Sequence, residues 1–156
     1  MVAIAKSRGV ILAEEYEKLN SEFFSGFIQR NFDMLFSICT SDRRIPPSRL
    51  FIMDNDPSQT SGAAMRALAN LDAELFRIPA RSPDVNPIEN IFQVAKKKLA
   101  QEAIDKHLKK ESFQQFKDRV NRTLFDVDIK LIDGTINSML RRIAKIIEAK
   151  DSGKKY

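Results

Sequence analysis

The sequence has one cysteine and one histidine among its 156 residues, and both shortages exclude classes of protein. With Cys39 alone, the chain cannot build an internal disulfide framework, and a zinc site made of cysteine and histidine ligands is excluded as well. His107 stands in a lysine-rich stretch with no neighbour to activate, which argues against Ser-His-Asp and Cys-His enzymes. Apolar runs are only a few residues long, so no transmembrane helix fits. We expect neither a membrane nor a small-molecule cofactor among the partners.

Basic residues are unevenly distributed along the chain. Residues 1–95 contain 10 Lys and Arg against 12 Asp and Glu, whereas residues 96–156 contain 16 against 9. This excess predicts that the second part of the chain meets a polyanion, although a solvated helical surface explains the same counts. A length of 156 residues suits one domain, and we predict a single domain over residues 1–156.

The strand patterns are confined to the amino-terminal part of the chain, and the carboxyl-terminal part has helix patterns alone. This distribution is typical of a mixed α/β domain. Phenylalanines at helical spacing predict a buried helix face after Asn20, and Asn86-Pro87 signals a helix start. The apolar run at residues 50–53 predicts a strand buried on both faces. The predicted strands cover residues 2–5, 9–13, 50–53 and 75–78. One predicted helix begins at residue 20 or 21. Further predicted helices cover residues 61–70, 87–109, 112–125 and 135–149, and loops are predicted over residues 41–48 and 79–87.

Two carboxylates stand where an α/β fold collects ligand groups. Asp54 directly follows an apolar strand, and Glu89 lies in the first turn of the helix after the proline-rich loop. Strand ends and helix starts hold side chains rigidly, as a metal ligand requires, and paired carboxylates suit a hard cation such as Mg²⁺. Structural roles account for the same residues, because Glu89 occupies the capping-box position relative to Asn86 and Asp54 can receive turn amides. The pattern leaves both interpretations open.

Helical geometry places Lys96 near Glu89, at the edge of a buried stripe. The apolar residues predicted to form that stripe are Ile88, Ile91, Phe92, Ala95, Leu99 and Ala103. An acid and a lysine along one edge of a buried helix suit a metal ion together with a phosphate.

Two runs of sequence and the end of the chain resemble the catalytic domain of Tc/mariner-type DDE transposases. The runs are MDNDPSQT at residues 53–60 and ARSPDVNPIENIF at residues 80–92, and the end is similar through SMLRRI at residues 138–143. Thirty-four residues separate Asp54 from Glu89, which resembles the spacing between the second and third acids of the family's triad. The resemblance covers about the last hundred residues well and the first fifty more loosely.

The resemblance implies an α/β, ribonuclease H-like fold with a helical carboxyl-terminal part, acting on DNA by metal-dependent phosphoryl transfer with two Mg²⁺ or Mn²⁺ ions. Carried over to this sequence, Asp54 and Glu89 are the implied catalytic acids and metal ligands. The candidate DNA-binding residues, with Arg81 and Lys96 suggested by their spacing, are Asn55, Arg81, Lys96 and Lys97. The family also implies a nuclear location.

Two departures from the family pattern bear on activity. Gln59 stands where family members usually have histidine. The early acids do not occupy the place of the first triad aspartate; they are Glu14, Glu15, Glu17 and Glu22. We therefore expect an amino-terminally truncated domain that lacks its first strand and the family's DNA-binding region, and that is inactive alone because the metal pair loses a ligand. The unpaired sheet edge makes a homo-oligomer an expected partner.

Two other functions fit parts of the sequence. A non-catalytic nucleic-acid-binding remnant, whose binding weakens with salt, would use Lys96, Lys97, Lys98, Lys109, Lys110, Arg141, Arg142 and Lys145. A protein-interaction module would use an apolar stripe that otherwise belongs to the core, formed by Ile136, Met139, Leu140, Ile143 and Ile147. Cys39 is predicted to be buried and His107 to be exposed.

Overall fold

The structure is a computed structural model that describes residues 1–40, 49–53, 56–78 and 82–151. Its elements include strands only in the first half, and from residue 83 onward they are helical. In chain order they are β1 (Val2–Ala5), β2 (Gly9–Ala13), α1 (Ser21–Cys39), β3 (Leu50–Met53), α2 (Gly62–Ala69), β4 (Glu74–Arg77), a 3-10 turn (Pro83–Val85), α3 (Pro87–Asp105), α4 (Phe113–Phe125), α5 (Ile129–Asn137) and α6 (Met139–Asp151).

The chain forms two compact units. Unit 1 contains Met1–Val2 and Glu14–Ser82, and unit 2 contains Ala3–Ala13 and Pro83–Tyr156. The loop predicted over residues 41–48 lies outside the described residues.

Helix α1 of unit 1 begins where the sequence predicts, because Asn20 caps it. The Asn20 side chain accepts a hydrogen bond from the Phe23 amide at 2.7 Å, which satisfies one free donor of the first turn. The rings of Phe32 and Phe51 meet edge to face with 4.8 Å between their centroids, so β3 packs on α1. The predicted buried face is confirmed, and its buried residues are Phe24, Phe27, Ile28, Phe32, Leu35 and Phe36.

Strands β3 and β4 form a parallel pair with Leu50 opposite Glu74 and Ile52 opposite Phe76. The prediction that β3 is buried on both faces is wrong, because Leu50 and Ile52 are each 48% exposed. Successive side chains of a strand point to opposite faces, and only the face that carries Phe51 packs on α1.

Met65 and Cys39 of unit 1 are both exposed, and the prediction that Cys39 is buried is wrong. Met65 is 36% exposed, because the short helix α2 buries one stripe and that stripe runs through Ala64, Ala67 and Leu68. Cys39, the last residue of α1, is exposed and lies off the buried face of that helix.

The two predicted strands β1 and β2 pair with each other as a hairpin, and Gly9 begins β2 with φ of +81°. The Ser7 amide donates to the Asp133 carboxylate at 2.7 Å, which attaches the hairpin to α5. The described residues therefore form two separate two-stranded sheets where one mixed sheet was expected.

The helices of unit 2 differ from the prediction at their ends. Helix α3 ends at Asp105 rather than near residue 109, because His107 takes a left-handed conformation with φ of +50°. His107 is exposed, as predicted.

The single helix predicted over residues 135–149 is wrong, because α5 and α6 are separate helices. Asp128 starts α5 by accepting a hydrogen bond from the Lys130 amide at 2.8 Å. The Ser138 hydroxyl donates to the Thr135 carbonyl at 2.7 Å and so competes with continuation of that helix. Among the described residues, no helix is both long and apolar enough to cross a bilayer.

Candidate active site

Glu89 is held by the start of α3, which a tight turn and a side-chain cap define. Pro83–Val85 form a 3-10 turn, where an irregular loop was expected, and Val85 is buried. The Asn86 side chain accepts a hydrogen bond from the Ile88 amide at 3.3 Å, and Pro87 takes the first helical position, which needs no amide donor. The first turn of α3 therefore has a defined position, as the sequence predicts.

The Glu89 carboxylate does not cap its helix. In a capping box the acid would accept a hydrogen bond from the Asn86 amide, as the Gln115 side chain does from the Ser112 amide at 2.8 Å in α4. At this helix start, it is the backbone amide of Glu89 that forms a hydrogen bond, donating to the Asn86 carbonyl at 3.2 Å. Its side chain is half-buried, and within the described part of the chain its carboxylate has no hydrogen-bond or ion-pair partner. Capping therefore does not account for this residue.

Three predicted site residues lie outside the described part of the chain: Asp54, Asn55 and Arg81. The turn after β3 is described from Asp56 onward. The Asp56 carboxylate accepts from the Ser58 amide at 2.8 Å, and the Asp56 carbonyl accepts from the Gln59 amide at 3.0 Å. Gln59 is only 7% exposed, and its Oε1 has no hydrogen-bond partner among the described residues. Sequence patterns do not reveal this buried acceptor, because a turn has no burial periodicity.

The three consecutive lysines of α3 have different surroundings. Lys96 and Lys97 are exposed and have no partner among the residues that the structure describes. The Lys98 ammonium donates to the Asp126 carbonyl at 3.1 Å, and so binds the end of α4. Only the first two lysines therefore remain available to a ligand in this part of α3.

Hydrogen bonds and ion pairs attach α3 to α4. Arg119, which is 9% exposed, forms an ion pair with Glu111 and donates to the Leu99 carbonyl at 2.9 Å. Arg122 donates to Glu102 at 2.5 Å. The hydrogen bond from Arg119 lowers the pKa of Glu111 and raises that of the guanidinium. These charged groups hold the helix that carries Glu89 without engaging the Glu89 carboxylate.

The chain belongs to the DDE superfamily endonucleases, whose family model matches residues 1–110. It is 31% identical over 107 residues to the Tc1 transposase of Caenorhabditis elegans, covering 69% of this chain and 37% of that protein. It is 28% identical over 109 residues to the Tcb1 transposase of Caenorhabditis briggsae, covering 70% of this chain and 38% of that protein. The Tc/mariner-type resemblance is thus confirmed, and the chain spans less than two fifths of the length of these relatives.

Solved structures show the same fold. The crystal structure of the Mos1 mariner transposase catalytic domain has a TM-score of 0.68 and 22% identity, and it covers 95% of this chain and 70% of that chain. The structure of the Mos1 catalytic domain with raltegravir and Mn has a TM-score of 0.73 and 21% identity, covering 95% and 72%. The fold is therefore the mixed α/β, ribonuclease H-like fold that the resemblance implies.

Proposed function

We propose that this chain is the catalytic part of a transposase-type endonuclease that cuts and joins DNA by metal-dependent phosphoryl transfer. The observation that carries the proposal is Glu89, whose carboxylate has no partner in the described part of the chain and lies on a helix start that Asn86 already caps. The family match gives this carboxylate a chemical context. Relatives of this chain are named transposases, and one Mos1 structure is a paired-end complex with a transposon end. Both support DNA as the substrate.

Asp54 and Glu89 are the proposed ligands of Mg²⁺ or Mn²⁺, because these cations prefer carboxylate oxygens. Among the described residues, no three acids, histidines or cysteines come together as a metal site, and Asp54 is the second ligand that we propose beside Glu89. The buried Oε1 of Gln59, in the turn after β3, has no hydrogen-bond partner among the described residues, which supports a polar ligand at that turn. When bound, such ions activate the attacking oxygen and stabilise the leaving oxygen of a phosphoryl transfer.

The residues of this chain bind and orient the cation and the DNA in this proposal. Lys96 lies two helical turns beyond Glu89, about 20° from it around the helix axis, and its ammonium is exposed. Lys97 is exposed beside it, and both ammonium groups neutralise DNA phosphates. Asn55 and Arg81 are the other proposed DNA contacts.

We further propose that residues 1–156 form one catalytic domain that supplies two of the three acids of the family's triad. Loss of one acid from a two-metal site slows catalysis by orders of magnitude, so the chain is inactive alone. The proposed partners are DNA and a second copy of the chain, and the proposed location is the nucleus.

Glu89→Gln is expected to abolish site-specific binding of Mn²⁺. The amide keeps the size of the side chain but removes the charge that holds a hard cation. The measurement is a Mn²⁺ titration followed by NMR, in which bound Mn²⁺ broadens the amide signals of residues 88–90 in the unsubstituted protein. Glu22→Gln is the matched control, because Glu22 also lies in the first turn of a helix that an asparagine caps. Unbroadened signals in the unsubstituted protein would contradict the metal site.

The same proteins test activity on supercoiled plasmid in Mg²⁺ or Mn²⁺. We expect the unsubstituted chain and Glu89→Gln to show equal background nicking. Nicking that Glu89→Gln removes would overturn the proposal that the chain is inactive alone, while it would support the proposed endonuclease chemistry.

DNA binding is expected to weaken steeply with salt, because each lysine that contacts a phosphate releases counterions. The double variant Lys96→Gln/Lys97→Gln should reduce the slope of log affinity against log salt by about 2, or about 1 for each lysine. Fluorescence anisotropy with a labelled duplex measures this slope. Lys98→Gln is the control, since Lys98 binds the Asp126 carbonyl, and it should leave the slope nearly unchanged. Equal slopes for the double variant and the unsubstituted protein would exclude these two contacts.

A further inference from the structure

Arg142 on α6 forms hydrogen bonds within the protein, whereas the adjacent Arg141 forms none with the described residues. Its guanidinium donates to the Asp84 carbonyl at 3.0 Å. With the Asn90 amide oriented to accept, its two terminal nitrogens also donate to Asn90 Oδ1, at 2.8 and 3.1 Å. Arg141 is exposed and has no partner among the described residues. The role of both arginines as phosphate contacts was one hypothesis from the sequence, and for Arg142 the structure shows protein partners instead.

The two residues that accept hydrogen bonds from Arg142 lie on either side of Glu89 in the sequence. Asp84 belongs to the 3-10 turn before α3, and Asn90 directly follows Glu89 in the first part of the helix. A guanidinium is a rigid, planar group with donors at fixed positions. The turn and the helix start therefore cannot shift relative to each other without breaking one of these bonds.

Both acceptors are uncharged, so the contribution of Arg142 comes from the geometry of its donors and not from an ion pair. A lysine at this position would keep the charge, but its single ammonium could not reproduce the arrangement of two guanidinium nitrogens. This distinction separates a geometric role from a purely electrostatic one.

We propose that Arg142 is a positioning residue for Glu89: it fixes residues 84–90 so that the carboxylate is presented to the cation. The proposal rests on the proposed metal site for its purpose. It also assigns a role to the SMLRRI run near the end of the chain, which the proposed chemistry does not otherwise use.

The test compares Arg142→Gln, Arg142→Lys and the control Arg141→Gln in the full chain. Loss of a residue that orients a metal ligand typically weakens metal binding 10–100-fold, and we expect Arg142→Gln to weaken Mn²⁺ binding at residues 88–90 by about tenfold. Hydrogen exchange of the amides of residues 88–91 should become faster, while the rest of unit 2 keeps its protection. Arg142→Lys should behave like Arg142→Gln, and Arg141→Gln like the unsubstituted protein.

Each outcome decides between explanations. Unchanged Mn²⁺ affinity in Arg142→Gln, at a site that Glu89→Gln abolishes, would overturn the positioning role. Full recovery in Arg142→Lys would also overturn it, because charge would then suffice. Loss of protection throughout unit 2 would show a general structural role instead. If the unsubstituted protein binds no Mn²⁺, the proposed function fails, whereas faster exchange confined to residues 88–91 would still support the attachment by Arg142. Asn90→Ala removes the two bonds to Asn90 and leaves the bond to the Asp84 carbonyl, so it should show the same pattern to a smaller extent.

Discussion

Phe24→Ala is expected to lower the free energy of unfolding of unit 1 by about 3–5 kcal/mol, the usual cost of removing a fully buried phenylalanine ring. Phe24 is completely buried and stacks on Phe27, with 6.1 Å between the ring centroids. The substitution removes apolar surface from the core and leaves a cavity beneath α1. Domains of this size are commonly stable by only about 5–15 kcal/mol, so unit 1 should be largely destabilised.

Phe76→Ala provides the control within the same unit, because Phe76 is 51% exposed on β4. Its cost should be about 1 kcal/mol or less, since roughly half of the ring is already in water. Urea denaturation, together with hydrogen exchange of the α1 amides, measures both variants. Equal effects of the two substitutions would show that α1 does not form the core of unit 1.

Gly9→Ala and Gly134→Ala are expected to change the stability of unit 2 in opposite directions. Gly9 has φ of +81°, and a Cβ atom there would lie 3.2 Å from Ile129 Cγ1. The left-handed conformation costs an alanine about 1–2 kcal/mol, and the close contact adds to this cost. Gly134 lies within α5, and a Cβ atom there would have no atom of the described residues within 4 Å. Alanine at that position should stabilise the helix by about 0.5–1 kcal/mol.

The two glycine variants are compared by thermal and urea denaturation. A lower midpoint for Gly9→Ala and a higher one for Gly134→Ala are the expected results. The two substitutions add the same methyl group, so their difference reports the backbone conformation and the surroundings of each position. A stabilising Gly9→Ala would contradict both the left-handed turn and the packing of the hairpin on α5.

Local features of the site could be predicted from the sequence because they depend on neighbouring residues. Asn86 and Pro87 start α3 as predicted, since a cap and a first helical position need only adjacent backbone groups. Asn20 starts α1 for the same reason. The family could likewise be recognised from two short runs and the distance between their acids, and the family match confirms it.

Other features required the tertiary structure. Helices α5 and α6 share one apolar periodicity in the sequence, but α5 ends at Asn137 with Ser138 as its C-cap, and α6 begins at Met139. The exposure of Leu50 and Ile52 depends on which face of β3 meets α1, and a short apolar run does not reveal that choice. The buried Oε1 of Gln59 depends in the same way on surroundings that a turn sequence does not specify.

The sequence alone determined the family, the starts of α1 and α3, the phenylalanine face of α1 and the identity of the candidate acids, because each depends on the spacing of residues along the chain. Only the tertiary structure decided which charged groups are already engaged. Lys98 binds the end of α4, and Arg142 binds a carbonyl 58 residues away, while Lys96 and Glu89 stay unpaired among the described residues. The physical reason is that a hydrogen bond between distant residues depends on how the helices pack, and neither residue type nor periodicity specifies that packing.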